Sequence, residues 1–251
     1  AWSVLAVGIA ALAILSARYA LSFGKDEFST PNWEITQRFD LLEFFYKFLP
    51  SSYDTVRPQG LPFVYCGVLT LMHEGMEVTP IDLCWLMITI SDNMATNMLI
   101  DLLGVDNIQA NNERLGLEGV KLSRKLFEKR PEFRGMRNYI SGNGIGKLLE
   151  MIYKGEVVSK AACDEMIQMM LAQQCTNKIP LLLPGEGRAA HKTGEDDGTT
   201  HDTGIIYAKK PFIVCFCNWQ LPEGEEGKMN VMIGQITREL WDAMGGEPDE
   251  E

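Results

Sequence analysis

The stretch that decides the fold is ISDNMATNMLIDLLG, residues 90–104. Its apolar residues recur at the three- and four-residue spacing of a helix, which predicts a helix that faces a core and ends at Gly104. Ser91, Asp92 and Asn93 stand directly ahead of this pattern. Asp92 or Ser91 would make a good N-cap. The same hydroxyl and amide could instead point into a pocket and contact a substrate, and this stretch alone leaves both alternatives open.

Length and composition restrict the class of protein. The chain has 251 residues, which suits one large domain or two lobes that share a core. The net charge of −11 repels phosphate backbones, and no basic aromatic stripe is present, so nucleic acid is not expected as a partner. The three histidines have no zinc-ligand spacing, and we expect neither a metal nor a cofactor.

The N-terminal stretch AWSVLAVGIAALAIL, residues 1–15, carries no charged side chain. It is short for a membrane span, which needs about 20 residues, so no stable span is expected. It has the length of the apolar part of a secretory signal but lacks a basic segment ahead of it. We favour two buried strands joined by a turn near residues 16–18, with a targeting segment as the alternative.

Periodicity over the rest of the chain predicts strands at both ends and helices between them. The simplest arrangement is an α+β fold, in which the terminal strands form one antiparallel sheet flanked by helices and the central block forms an all-helical lobe. We expect a single domain, with a sheet lobe from about 1–30 and 185–251, a helical lobe from about 31–184, and the site in the cleft between them. The last helix places Val231, Met232, Ile236, Leu240 and Met244 on one face. The predicted elements are a hairpin over 4–23, helices over 33–49, 67–74, 79–90, 106–115, 142–154, 159–173 and 228–244, a long loop over 121–141, and strands over 187–194, 200–208 and 212–219.

A second polar cluster stands in HKTGEDDGTTHDTGIIY, residues 191–207. Lys192 and Thr193 lie at a strand edge, where Gly194 lets a ligand approach the backbone closely. Ser-Asp-Asn followed by Lys-Thr-Gly accompanies an S-x-x-K nucleophile in class A β-lactamases and penicillin-binding proteins. Both motifs in this order are rarely a coincidence, because composition alone predicts roughly 0.02 and roughly 0.06 copies of them.

On these motifs the chain resembles the class A β-lactamase and penicillin-binding-protein family. Residues 75–104 are similar to the family's helical core, residues 179–207 to its path into the sheet, and residues 7–14 and 19–29 to its first two strands. The resemblance implies a β-lactamase-like fold and a serine hydrolase that recognises a small-molecule β-lactam or a D-alanyl-D-alanine-like peptide, with a part in antibiotic resistance. It also implies a secreted or extracytoplasmic location. We expect a monomer.

The resemblance implies a role for each motif residue. Ser91 would relay a proton to the β-lactam nitrogen, and Lys192 would favour that transfer and attract the substrate carboxylate. Asn93 would hold the substrate's side-chain amide, and Thr193 would hydrogen-bond the carboxylate. The backbone N–H of Glu195 would form half of the oxyanion hole.

The loop over 121–141 corresponds to the family's Ω-loop, which supplies a Glu that activates the deacylating water. Glu132 is the nearest candidate, and a solvated loop carboxylate is the alternative interpretation. Cys84 lies where some members have a disulfide cysteine, but its partner would fall near Phe39, so we expect a free, buried thiol.

The sequence departs from the family at the nucleophile. Alignment of GKDEFSTPNWEITQ places Asn32 where the nucleophilic Ser belongs and Ile35 where its Lys belongs. Asn cannot attack a carbonyl, and Ile cannot take a proton. Ser29 lies nearby, but no base follows it at the required spacing.

One S-x-x-K does occur, at Ser22 and Lys25, but it falls in a predicted strand, where Lys is not one helical turn from Ser. Three interpretations follow. The chain is a β-lactamase-type hydrolase that uses Ser29, Ser22 or water, a non-catalytic binding pseudoenzyme on the same fold, or a relative of D-alanyl-D-alanine peptidases.

Overall fold

The fold was analysed in a computed structural model that describes residues 67–72, 78–128, 130–185 and 188–247. The predicted hairpin and first long helix lie outside the described residues, as do Ser22, Lys25, Ser29, Asn32 and Ile35. The contribution of residues 1–30 to the sheet, and with it the proposed division into lobes, therefore stays a prediction.

Helices and an antiparallel sheet make up the described part of the chain, which confirms the predicted α+β class. None of the described helices is long and apolar enough to cross a membrane. Three short 3-10 helices connect the main elements, at Leu69–Leu71, Pro131–Phe133 and Ile179–Leu182. The main elements are α1 Pro80–Thr89, α2 Asn93–Leu103, α3 Val105–Arg114, α4 Gly142–Lys154, α5 Lys160–Leu171, β1 Ala189–Asp196, β2 Thr199–Ile206, β3 Phe212–Trp219 and α6 Glu226–Ala243.

The three strands of the described residues form one sheet in the order β1-β2-β3, and both pairs are antiparallel. β1 and β2 are joined by Asp197 and Gly198, and Gly198 has a φ of +62°. An Asp-Gly pair suits such a tight hairpin because its second residue must adopt a positive φ. Lys192 lies opposite Thr203 in this register. Among the described strands, β1 is therefore an edge whose motif residues border the helices.

Helix α2 lies at the centre of the core, as the apolar pattern of residues 90–104 predicts. Met98 and Leu99 are fully buried, and the helix ends at Gly104, where φ is +82°. Burial extends to its polar residues, since Asn93 and Asn97 are also buried. Buried amides require hydrogen-bond partners, so this helix is held by polar contacts as well as by packing.

The predicted helix over 67–74 is wrong in the part that the structure describes. Only one 3-10 turn forms, at Leu69–Leu71. Gly67 has a φ of +134°, and a Cβ at this position would lie 2.2 Å from the Asp92 carboxylate. The backbone N–H of Leu69 is donated to that same carboxylate. The segment is thus shaped by its approach to Asp92, which a local helical pattern does not reveal.

The last helix buries a different face from the apolar one that the sequence indicates. Ile233, Thr237 and Trp241 are the buried side chains of α6. A Cβ on Gly234 would lie 3.1 Å from the carbonyl oxygen of Lys178, so this glycine lets the helix approach the Ile179–Leu182 turn closely. The helix therefore packs through a face that includes small and polar residues, although its other face carries more apolar side chains. The exposed residues of the predicted face are Val231, Met232, Ile236 and Leu240.

Candidate active site

Asp92 is the N-cap of α2. Its Oδ1 accepts hydrogen bonds from the backbone N–H groups of Met94 at 2.9 Å and Ala95 at 3.0 Å, and its Oδ2 accepts from Leu69 at 3.1 Å. The side chain is fully buried. Burial raises the pKa of the Asp92 carboxyl, although the backbone donors act in the opposite direction. The capping role that the sequence leaves open thus belongs to Asp92, and the Ser91 hydroxyl is available for another contact.

Ser91 contacts Lys192 across the boundary between the helices and the sheet. The Lys192 Nζ donates to Ser91 Oγ and, at 2.7 Å, to the carbonyl oxygen of Thr193. Lys192 is fully buried, and Ser91 is half-buried with a φ of +55°. A left-handed backbone at a residue other than glycine, Asn or Asp is uncommon and often marks a functional position. The structure therefore brings the two sequence motifs together.

The other motif residues lie on the same two elements. Asn93 is the first residue of α2 and is buried, and Thr193 is buried in β1 next to Lys192. Gly194 follows in β1 opposite His201, and Glu195 follows opposite Thr200. The N-terminus of α2 and the edge strand β1 together position these side chains.

A second buried ammonium lies near this strand. Lys178 is fully buried, and its Nζ lies 2.8 Å from Glu195 Oε1 and 3.2 Å from the carbonyl oxygen of His201. The backbone N–H of the next residue, Ile179, donates to Asp202 Oδ2 at 3.0 Å, and Asp202 also contacts His191 Nδ1 at 3.0 Å. These buried contacts fix the segment that carries Lys178 against the sheet. Sequence reasoning missed Lys178, because a single Lys before an apolar run has no distinctive spacing.

His201 is a buried member of β2 beside this lysine. Its Nδ1 accepts a hydrogen bond from the backbone N–H of Asn218 at 3.0 Å, which requires an unprotonated Nδ1. Burial, and to a lesser degree the positive charge of Lys178, lowers the pKa of His201 to about 4. The imidazole is therefore neutral at pH 7 in the folded protein.

We expect stability to fall on acidification through the range set by His201. In the unfolded chain the His201 imidazole has its ordinary pKa of 6.5, whereas in the folded protein its pKa is about 4. Between these values the unfolded state binds a proton that the folded state does not. The free energy of unfolding is therefore unaffected by His201 above about pH 6.5, and it is about 2 kcal/mol lower at pH 5. Urea unfolding at pH 7 and pH 5 measures this. His201→Gln keeps an acceptor for Asn218 and should remove that part of the pH dependence; an equal loss in both proteins would contradict the prediction.

The loop over 121–141 is anchored to α2 by Asn97. The Asn97 side chain accepts from the backbone N–H of Leu126 at 2.8 Å and donates to the Leu126 carbonyl oxygen at 3.2 Å. Asn97 lies one helical turn after Asn93, on the same face of the helix. The loop residue that this clamp holds on the site's face is thus Leu126, whose side chain is buried. A buried Asn inside an apolar helical stripe is the sequence signal that would have indicated this contact.

Glu132 lies farther along the loop, in the Pro131–Phe133 turn. Its side chain is 59% exposed, and its Oε1 lies 3.7 Å from Nη1 of Arg130. Glu128 follows the clamped leucine more closely, and its carboxylate accepts two hydrogen bonds from the Arg130 guanidinium. Those bonds lower the pKa of Glu128. The structure places Glu132 on the surface and records no contact between it and Ser91 or Lys192.

Cys84 is a residue of α1. Cys84 is buried and not disulfide-bonded, as predicted, and burial raises its pKa strongly. Within the described ranges, no cluster of three or more His, Cys, Asp or Glu side chains is arranged to hold a metal ion.

Comparison with known proteins identifies the family. The family model described as the β-lactamase enzyme family matches residues 55–244. A β-lactamase from Sphaerobacter thermophilus superimposes with a TM-score of 0.73 at 27% identity, over 96% of this chain and 82% of that one. No curated protein sequence matches this chain.

Two further solved structures share the fold. A point variant of PBP-A, in an acyl-enzyme complex with penicillin G, has a TM-score of 0.65 at 23% identity over 96% of this chain and 81% of that one. An ancestral class A β-lactamase has a TM-score of 0.71 at 20% identity, over 94% of this chain and 83% of that one. The fold is therefore that of the β-lactamases and penicillin-binding proteins, and this chain belongs to the β-lactamase enzyme family.

Proposed function

We propose that the cleft between α2 and β1 recognises a β-lactam or a D-alanyl-D-alanine-like peptide and binds it without β-lactamase turnover. The observation that carries the proposal is the contact between the buried Lys192 ammonium and Ser91. A fully buried cation is costly to maintain without a function or a full set of partners. Its position beside Thr193, on a strand edge, suits a ligand carboxylate.

The direction of the Lys192 hydrogen bond determines what Ser91 does in this proposal. An ammonium only donates, so Ser91 Oγ is the acceptor in their contact. A hydroxyl that accepts from a cation directs its own O–H elsewhere and becomes a better donor. The O–H of Ser91 therefore donates to an oxygen of the ligand. Asn93 then holds the ligand's side-chain amide, and Thr193 donates to its carboxylate.

Two features favour binding over hydrolysis. Deacylation needs a base that activates water within hydrogen-bond reach of the acyl group. The clamp from Asn97 presents Leu126, which has no ionisable group, and Glu132 is exposed and pairs with Arg130. In addition, the sequence has Asn32 and Ile35 where the family's nucleophile and its lysine are expected. We further propose a monomer that acts outside the cytoplasmic membrane, where family members meet these ligands.

The proposal is tested with penicillin G and a chromogenic cephalosporin. We expect calorimetric binding of penicillin G at concentrations up to about 1 mM, no increase in intact mass after incubation, and no colour change. Turnover of the cephalosporin would establish the hydrolase instead. A stable mass increase would reveal a nucleophile, and peptide mapping would show whether Ser29 or Ser22 carries it. Absence of binding would overturn the proposal.

A pair of matched variants tests whether Glu132 acts as a catalytic base. If a hydrolase with Glu132 as its base were correct, Glu132→Gln would abolish turnover, and Glu118→Gln, an equally exposed carboxylate, would not. Under the proposed function both variants bind penicillin G like the parent protein.

A further inference from the structure

The Glu195 carboxylate lies between the buried Lys178 ammonium and solvent. Lys178 is 0% exposed, whereas the Glu195 side chain is 44% exposed, and the two charged atoms are 2.8 Å apart. The other contact of Lys178 is the carbonyl oxygen of His201, at 3.2 Å. The charged partner of this fully buried cation is therefore a partly exposed carboxylate that belongs to the protein itself.

This ion pair lies beside the part of β1 that the proposed function assigns to a ligand carboxylate. Side chains two residues apart on a strand point to the same face, about 7 Å apart, so Glu195 lies on the same face as Thr193. Gly194, between them, pairs with His201, the residue whose carbonyl oxygen holds Lys178. A ligand carboxylate at Thr193 would thus meet Lys178 only together with the negative charge of Glu195.

We propose that Glu195 determines ligand specificity by acting as an internal carboxylate on Lys178. The inference rests on the proposed function of the cleft. Glu195 neutralises Lys178 and repels a ligand carboxylate bound at Thr193, because like charges at this separation in a partly buried site repel strongly. Glu195 therefore lowers the affinity for a free carboxylate relative to that for an uncharged ester or amide at the same position, and it offsets part of the attraction by Lys192.

The test compares penicillin G with its methyl ester, which lacks this charge and carries one additional methyl group. Glu195→Gln removes the negative charge and keeps a side-chain oxygen that accepts from Lys178. By isothermal titration calorimetry, we expect the affinity for penicillin G to rise about tenfold and the affinity for the methyl ester to stay within about twofold. The ratio of the two affinities should therefore shift toward the free acid in Glu195→Gln relative to wild type.

Two further variants distinguish the effect of Glu195 at this position from the effect of removing any negative charge nearby. Asp197→Asn makes the same charge change at an exposed residue of the neighbouring turn, and it should leave the ratio of the two affinities unchanged. In a Lys178→Met background, Glu195→Gln should favour the free acid at least as strongly, because the repulsion by Glu195 is then no longer offset by the ammonium. Thermal unfolding checks that Lys178→Met folds, and the comparison of Glu195→Gln with Asp197→Asn decides the question without it.

The outcomes separate this inference from the proposed function. If wild type binds penicillin G and Glu195→Gln changes both affinities equally or not at all, the specificity role is overturned and the proposed function stands. If neither compound binds any variant, the proposed function fails and the specificity role fails with it.

Discussion

Lys192→Met is expected to lower the affinity for penicillin G by about 30-fold, or ~2 kcal/mol, the usual range for a hydrogen bond between charged groups. Lys192 supplies the buried positive charge next to Thr193 and also donates to Ser91. Met has a similar length and an apolar end, so it fills the buried space without the charge. Calorimetry with the penicillin G used above measures the change.

The methyl ester of penicillin G tests whether the loss of affinity in Lys192→Met comes from the charge of the ligand carboxylate. Its affinity should fall much less than that of the free acid, because the ester carries no charge for the ammonium to attract. Lys160→Met is the control for a loss of one positive charge, since Lys160 is an exposed residue of α5 that pairs with Asp164. Unchanged binding in Lys192→Met would place the ligand site away from β1.

The helical core and the C-terminal strands could be predicted from the sequence because their signals are local. The apolar stripe of residues 90–104 and Gly104 define α2, and the Asp-Gly pair at residues 197–198 defines the β1–β2 hairpin. The two motifs could also be located, since Ser-Asp-Asn followed by Lys-Thr-Gly is rarely a coincidence in a chain of this composition. Which of Ser91 and Asp92 caps the helix could not, because both residue types cap equally well.

The features that could not be predicted from the sequence depend on contacts between segments that are distant along the chain. Lys178 and Glu195 are 17 positions apart and no motif links them, yet the buried ammonium and the partly exposed carboxylate form an ion pair. Asn97 selects Leu126 as the clamped loop residue through two hydrogen bonds across 29 positions. For the same reason, the sequence does not define the register of the loop, and Glu132 is a candidate by its residue type and approximate position alone.

Asp92→Ala is expected to lower the free energy of unfolding by about 4 kcal/mol. The substitution leaves the backbone N–H groups of Leu69, Met94 and Ala95 without the carboxylate that accepts them. An ordinary N-cap loses about 1 kcal/mol on such a change, whereas this one is fully buried and also ties the Leu69 turn to α2. Urea unfolding, followed by circular dichroism, measures the effect.

Two controls distinguish this structural role from ligand binding. Ser159→Ala removes the exposed N-cap of α5, which accepts a single hydrogen bond from Ala162, and should cost about 1 kcal/mol. Ser91→Ala removes one acceptor of the buried Lys192 ammonium, which keeps the carbonyl oxygen of Thr193. It should therefore cost about 2 kcal/mol, half as much as Asp92→Ala, and it should also weaken binding of penicillin G. If Asp92→Ala were no more destabilising than Ser159→Ala, the buried carboxylate would not be what joins these segments. The cap and the ligand contact belong to adjacent residues. If Asp92→Ala mainly lowers stability and Ser91→Ala mainly lowers the affinity for penicillin G, one helix start performs both tasks with separate side chains.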